Sequence, residues 1–105
     1  MYWTEDRRRF QGLIQALSGR ADARAETEMG ATLDPRLADS LVDVMAGEEQ
    51  LGLDTLCVNI RDYQVRLTGE EYATITDLAE RWDLDVRVID GLNELVIPDD
   101  ASECS

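Results

Sequence analysis

The pattern of apolar and polar residues between positions 45 and 84 predicts two amphipathic helices joined by a short turn. In the first, apolar residues recur at spacings of three and four, at Leu53, Leu56, Cys57 and Ile60, so they share one face of a helix. The polar face of this helix is largely acidic. We therefore predict an antiparallel helical hairpin whose outer surface is acidic.

The second helix of the hairpin is marked by its first residues. Thr68 is placed to cap the helix, and Glu71, three positions later, completes a capping box. The apolar inner face continues to Trp82 at helical spacing. Residues 62–64 interrupt the first period and Val65 begins a short extended segment, so the two helices are expected to fold back on each other.

Two more helices are predicted before the hairpin. Thr4 as a cap and the apolar stripe within residues 10–17 predict a first helix that ends near Gly19. The pair Asp34-Pro35 is typical of a helix start, with the aspartate as cap and proline at the first helical position. This helix is expected to end at Gly47.

Two segments are each compatible with two structures. Residues 20–32 have no apolar face to bury, which predicts a frayed helical turn or a mobile loop. Residues 85–98 fit either two short strands turning at Gly91 or one or two helical turns. The helical context favours the second interpretation. Residues 99–105 are expected to form a flexible acidic tail.

Together these elements predict an all-α fold, a small antiparallel bundle of about four helices in one domain spanning residues 1–105. Hydrophobic residues make up 44% of the chain, which argues against wholesale disorder. No run of about 18 apolar residues is long enough to span a bilayer, and the N-terminal residues lack the apolar centre of a secretory signal. We therefore expect a cytoplasmic protein.

Gly52 stands inside the first helix of the hairpin, where glycine costs about 1 kcal/mol relative to alanine. Two explanations stay open at this point. Either another helix approaches closely at this point, or the glycine arose by neutral evolutionary drift.

The acidic residues are concentrated in the second part of the chain. The net charge is −13; residues 1–42 hold seven acidic residues and six arginines, whereas residues 43–105 hold sixteen acidic residues and four arginines. Such a surface repels nucleic acid and anionic membranes and attracts a basic protein. We expect a protein partner and no direct binding of nucleic acid or membrane. The alternative is that the charge serves solubility alone.

Residues suited to catalysis or metal binding are sparse. The chain has no histidine, the side chain most often used for proton transfer near neutral pH. Cys57 falls on an apolar helix face and Cys104 in the polar tail, without metal-ligand spacing, and there is no phosphate-binding glycine loop. We therefore predict no enzyme activity, no cofactor and no metal.

The hairpin supplies the candidate residues for contact with a partner. Six are acidic, and the seventh is a tyrosine at the turn, expected to be exposed, where an aromatic anchor would concentrate binding energy. The seven candidates are Glu48, Glu49, Asp54, Asp62, Tyr63, Glu70 and Asp77.

The hairpin also resembles a known family, the Maf-type immunity proteins of bacterial polymorphic toxin systems. The resemblance is clearest over residues 34–84. It is carried by Gly47-Glu48, Leu51-Gly52-Leu53-Asp54, Leu56, Leu67-Thr68, Glu71-Tyr72, Ile75, Leu78 and Trp82-Asp83-Leu84. Glu48 and Asp54 match acidic positions of the family pattern, whereas Gly52 stands where the family usually has alanine. The segment 20–32 is also longer than the family pattern leads us to expect.

The resemblance implies a small helical protein that neutralises a cognate toxin. Toxin domains that cleave nucleic acid present a basic cleft, which an acidic helical surface is suited to cover. The hypothesis is therefore a stoichiometric inhibitor of a basic, nuclease-type toxin domain. The alternative from another class is a small acidic adaptor or regulator that binds a basic segment of a host protein. Oligomeric state is open.

Overall fold

The computed structural model describes residues 5–97, which form five α-helices and two 3₁₀ helices. These are α1 (Glu5–Leu17), α2 (Ala23–Met29), α3 (Leu33–Met45), α4 (Glu49–Asp62) and α5 (Gly69–Arg81), followed by the 3₁₀ helices Val86–Ile89 and Leu92–Leu95. The all-α prediction is confirmed, with five α-helices in place of about four. Thr4, predicted to cap the first helix, Cys104 and the predicted tail 99–105 lie outside the described residues.

The apolar faces of α1, α3, α4 and α5 meet in one core. The predicted stripe of α1 is buried at Phe10, Leu13, Ile14 and Leu17. Each fully buried leucine of this kind contributes roughly 1.5–3 kcal/mol relative to an exposed one. Trp82, predicted on the inner face of α5, is partly buried, and its ring centroid lies 5.9 Å from that of Phe10.

Helix α2 occupies most of the segment for which a frayed turn or a mobile loop was predicted. Its ends are defined by caps. The Asp22 carboxylate accepts a hydrogen bond from the Ala25 backbone N–H at 3.1 Å, and Gly30 ends the helix with a φ of +71°. The Asp22 N–H in turn donates to the backbone carbonyl of Tyr63. Capping and this tertiary hydrogen bond, with only Ala25 buried in the helix, account for an ordered helix without an apolar stripe.

Helix α3 begins earlier than the Asp34-Pro35 pair predicted. Its first residue is the fully buried Leu33, and Thr32 occupies the cap position without a side-chain hydrogen bond. The Asp34 carboxylate instead accepts a hydrogen bond from the Gly19 N–H at 3.0 Å. Asp34 therefore joins the end of α1 to the start of α3, which is a tertiary role that local sequence does not indicate.

Helices α3 and α4 are the most closely packed pair. A Cβ added at Gly52 would lie 2.5 Å from Val44 Cγ2 and 2.7 Å from the carbonyl oxygen of Ser40. Real side chains do not approach so closely, so the absence of a Cβ allows this contact. The close approach proposed from Gly52 is confirmed, and the approaching helix is α3.

The chain turns back after α4 as predicted, so that the end of α5 returns to the start of α4, but the two helices do not pack closely along their length. The Gln50 amide, at the start of α4, donates a hydrogen bond to the carbonyl of Trp82, at the end of α5. The predicted capping box at Thr68 and Glu71 is formed. The predicted break after Asp62 is present as well, since Gln64 adopts a φ of +52°. The nearest neighbour of α4 is nevertheless α3, so the tight hairpin is the pair α3–α4.

The segment after α5 takes the helical alternative. Its two 3₁₀ helices are separated by Gly91, which has a φ of +86°. Leu92 is fully buried, and one isolated parallel bridge joins Val96 to Leu67. The Arg61 guanidinium holds this segment against α4 by donating to the carbonyls of Val88 (2.6 Å) and Asp90 (3.3 Å).

Candidate protein-binding surface

The outward side of α4 carries a continuous row of exposed residues. They are spaced by three or four positions, so they lie along one side of the helix, opposite its buried face. We call this row the outer α4 stripe. It consists of Glu48, Leu51, Asp54, Val58 and Asp62.

The carboxylates of the stripe have no cationic partner among the described residues. None of the ion pairs formed within residues 5–97 includes Glu48, Asp54 or Asp62. Two arginines of α3 and α4 are engaged elsewhere. Arg61 donates to backbone carbonyls of the C-terminal segment, and Arg36 donates to a tyrosine hydroxyl. The stripe therefore presents uncompensated negative charge to solvent.

Asp62 adds a second sign that the stripe is not arranged for stability. It is the last residue of α4, where the partial negative charge of the helix end disfavours a carboxylate. Glu48, at the other end, occupies the favourable position. The unfavourable position of Asp62 is consistent with a role in binding a partner and not in stabilising the fold.

The acids on the α1–α5 side of the molecule are, by contrast, paired with arginines. Asp77 contacts Arg9 at 2.7 Å, and Glu71 contacts Arg20 at 2.6 Å. Partial burial alone would raise the pKa of Glu71, but hydrogen bonds from Arg20 and Thr68 outweigh burial and lower the pKa below its usual range. Much of the negative charge on this side is thus neutralised within the protein.

The structure divides the seven predicted contact residues. Three lie together on the outer α4 stripe, as stated above. Glu49 points to α1, where it pairs with Arg7 at 3.1 Å. Asp77 pairs with α1 as well, and Glu70 is exposed beside an open groove between α1 and α5. The acidic candidates therefore do not form one surface.

Tyr63 is not the exposed anchor that the sequence predicted. Its side chain is fully buried, and its hydroxyl accepts a hydrogen bond from Arg36 Nε at 2.9 Å. The ring is drawn inward because Tyr63 directly follows the last turn of α4, three residues after the buried Ile60. The acidic residue beside Tyr63 led to the wrong prediction of an exposed side chain. Its spacing from the buried Ile60 was the better signal, because that spacing predicts burial.

Sequence reasoning missed the two apolar members of the stripe. Leu51 is 51% exposed and Val58 is 40% exposed, so the outer surface of α4 is not uniformly acidic. Both fall outside the period of Leu53, Leu56 and Ile60, and they are seven positions apart. Their placement off the buried period was the signal that could have identified them.

The described residues offer little for chemistry at this surface. Burial raises the pKa of the Cys57 thiol to about 12, so it carries almost no thiolate at neutral pH. Within residues 5–97 no three acidic or cysteine side chains are grouped so as to hold a metal ion. None of the helices in that range combines the length and apolar content needed to cross a bilayer. The exposed charged and apolar side chains of the stripe are suited to contact with another macromolecule.

Comparison with protein-family models, with curated proteins and with solved structures finds no match to this chain. The resemblance over residues 34–84 therefore stays an expectation from the sequence.

Proposed function

We propose that this protein is an immunity protein that binds and neutralises a cognate bacterial toxin domain through the outer α4 stripe. The observation that carries the proposal is the set of three exposed carboxylates, Glu48, Asp54 and Asp62, on one helix face without a cationic partner among residues 5–97. The resemblance to Maf-type immunity proteins supplies the class of partner. The toxin domain is basic and of nuclease type.

Inhibition is stoichiometric in this proposal and needs no catalytic group or cofactor. The negative stripe attracts the basic cleft over distances of about 10 Å or less at physiological salt and accelerates encounter. Once bound, its carboxylates occupy positions that phosphates of the nucleic-acid substrate would take. The site of action is the cytoplasm of the cell that makes the toxin.

The test is co-expression of this chain with the C-terminal domain of the protein encoded immediately upstream. We expect restored growth and a 1:1 complex whose association slows as salt rises from about 50 to about 500 mM, because screening weakens steering. Absence of both rescue and complex would overturn the proposal. Capture of a host protein in place of the toxin domain would favour an adaptor.

Charge reversal locates the contact. The double variant Glu48→Lys/Asp54→Lys is expected to lose rescue and to weaken the complex at least tenfold, roughly 1.4 kcal/mol or more. The matched control is Glu28→Lys/Glu80→Lys, which reverses two exposed acids that lie away from the stripe and have no ion pair within residues 5–97. Equal losses in both variants would show that net charge, and not the stripe, determines binding.

A further inference from the structure

The outer α4 stripe alternates acidic and apolar residues along the helix axis. In chain order the row is Glu48, Leu51, Asp54, Val58 and Asp62. Its 14-residue helix is about 20 Å long, so the row spans nearly four turns. This alternation constrains the partner more than negative charge alone.

Each type of residue in the stripe makes its own demand on the partner. Leu51 and Val58 lose their exposed apolar surface only to another apolar side chain, whereas the carboxylates beside them require cations. The demands recur at intervals of three and four residues. A helix lying alongside α4 presents side chains at the same intervals, so one apolar ridge with basic flanks would satisfy both.

The charge of the stripe argues against other occupants. A second copy of this chain would place carboxylates against carboxylates, and like charges in contact are strongly unfavourable. Nucleic acid and anionic lipid carry the same sign as the stripe. A basic protein segment is the class of partner with complementary charge.

Asn59 provides a polar group at the edge of the same surface. It lies three residues before Asp62 on α4, is 5% exposed, and its side chain makes no hydrogen bond to any residue in 5–97. Every fully buried side-chain nitrogen and oxygen of the described residues has a hydrogen-bond partner, so the Asn59 amide keeps a small exposed area.

We propose that the outer α4 stripe binds a basic amphipathic helix of its protein partner. Apolar residues of that helix cover Leu51 and Val58, while its lysines and arginines meet Asp54 and Asp62. The identity of the partner as a toxin domain rests on the proposed function. The chemistry of the segment rests on the stripe.

The test uses a synthetic helical peptide as probe. The peptide has about 18 residues, with leucines at helical spacing and lysines elsewhere, and its control has the same composition in scrambled order. We expect the amphipathic peptide to bind the full chain at least tenfold more tightly than the scrambled one. Amide chemical shifts are expected to change along α3 and α4. Equal affinity of the two peptides, or shifts confined to α1 and α5, would overturn the inference.

Matched variants separate the apolar contribution from charge. Leu51→Ser/Val58→Ser is expected to abolish the preference for the amphipathic peptide while leaving the affinity for the scrambled one unchanged. Val86→Ser is the control, because Val86 is 71% exposed and lies on the first 3₁₀ helix. A preference that survives Leu51→Ser/Val58→Ser would overturn the inference, as would its loss in Val86→Ser.

The two proposals fail separately. If the toxin is neutralised but the amphipathic peptide is not preferred, the proposed function stands and the proposed helical partner segment is ruled out. If the amphipathic peptide is preferred and binds at α4 but no toxin domain binds, the helix-binding surface stands and the proposed function is ruled out.

Discussion

At the scale of single residues, Tyr63 is the clearest case of a buried side chain held by one polar contact. Tyr63→Phe removes the hydroxyl that accepts from Arg36 Nε but keeps the ring. Because Arg36 is exposed and can bond to water instead, we expect a loss of about 0.5–1.5 kcal/mol in the free energy of unfolding. Urea denaturation measures this loss. Binding of the proposed toxin domain should not change.

Tyr72→Phe is the control for this variant. The Tyr72 hydroxyl makes no hydrogen bond within residues 5–97, so the change is expected to stay within about 0.5 kcal/mol. Unchanged stability of Tyr63→Phe together with weaker toxin binding would contradict the buried placement and restore the exposed anchor.

Glu71 makes the stability of the fold depend on pH. Its pKa is lowered in the folded protein, so its contribution to stability is present above its ordinary pKa and is lost as pH falls through the folded value. Glu71→Gln keeps an acceptor for the Thr68 N–H but removes the charge that pairs with Arg20. At pH 7 we expect the free energy of unfolding of the wild type to exceed that of the variant by about 1 kcal/mol or less. This difference should vanish in acid, where Glu71 is protonated.

Denaturant titrations from pH 7 downward measure this difference. Glu80→Gln is the control, since Glu80 is exposed and unpaired among the described residues. A difference between wild type and Glu71→Gln that stays constant with pH would show that the helix cap, and not the charge, carries the effect.

At the scale of helices, the packing of α3 against α4 depends on Gly52. Gly52→Ala gains helix propensity but places a Cβ within 2.7 Å of a backbone oxygen. Overpacking of this kind costs about 1–3 kcal/mol, so we expect net destabilisation, measured as a lower urea midpoint. Gly12→Ala is the control, because nothing lies within 4 Å of a Cβ there, and it should stabilise by up to about 1 kcal/mol. A stabilised Gly52→Ala would show that α3 yields easily.

Which elements the sequence predicts depends on how local their causes are. The capping box at Thr68 and the stripe of α1 come from neighbours in sequence, and both are predicted well. The use of Asp34 to bind the Gly19 N–H is a tertiary contact, and local pattern misassigned it. Helix α2 was missed as a stable element because its caps act without an apolar stripe.

The same distinction applies to the candidate surface. Its acids could be listed from the sequence, but their pairing could not. Asp77 and Asp54 look alike in sequence, and only the packing of α1 brings Arg9 to Asp77. Exposure of Leu51 and burial of Tyr63, in contrast, follow the helical period of α4, because Leu51 lies off the buried positions and Tyr63 comes three residues after Ile60.

At the scale of the whole molecule, the distribution of charge is expected to favour binding and to lower the stability of the free protein. A net charge of −13 on 105 residues repels itself, and the stripe acids contribute to this repulsion without an ion pair in the part of the chain that the structure describes. Neutralising them should stabilise the free protein. Neutralising paired acids should not, since the arginine contact is lost together with the charge.

The comparison is Asp54→Asn/Asp62→Asn against Asp77→Asn/Glu71→Gln, each of which removes two negative charges with nearly isosteric side chains. At low salt, about 10 mM with a Debye length of about 30 Å, we expect the first pair to raise the melting temperature by about 2–4 °C and the second to lower it. Added salt should shrink both shifts. If the proposed function holds, the first pair should also weaken the complex with the toxin domain, so the stripe would lower stability while strengthening binding. Equal melting shifts in the two pairs would mean that the position of a carboxylate matters less than its number, and the acidity of α4 would then need no partner to explain it.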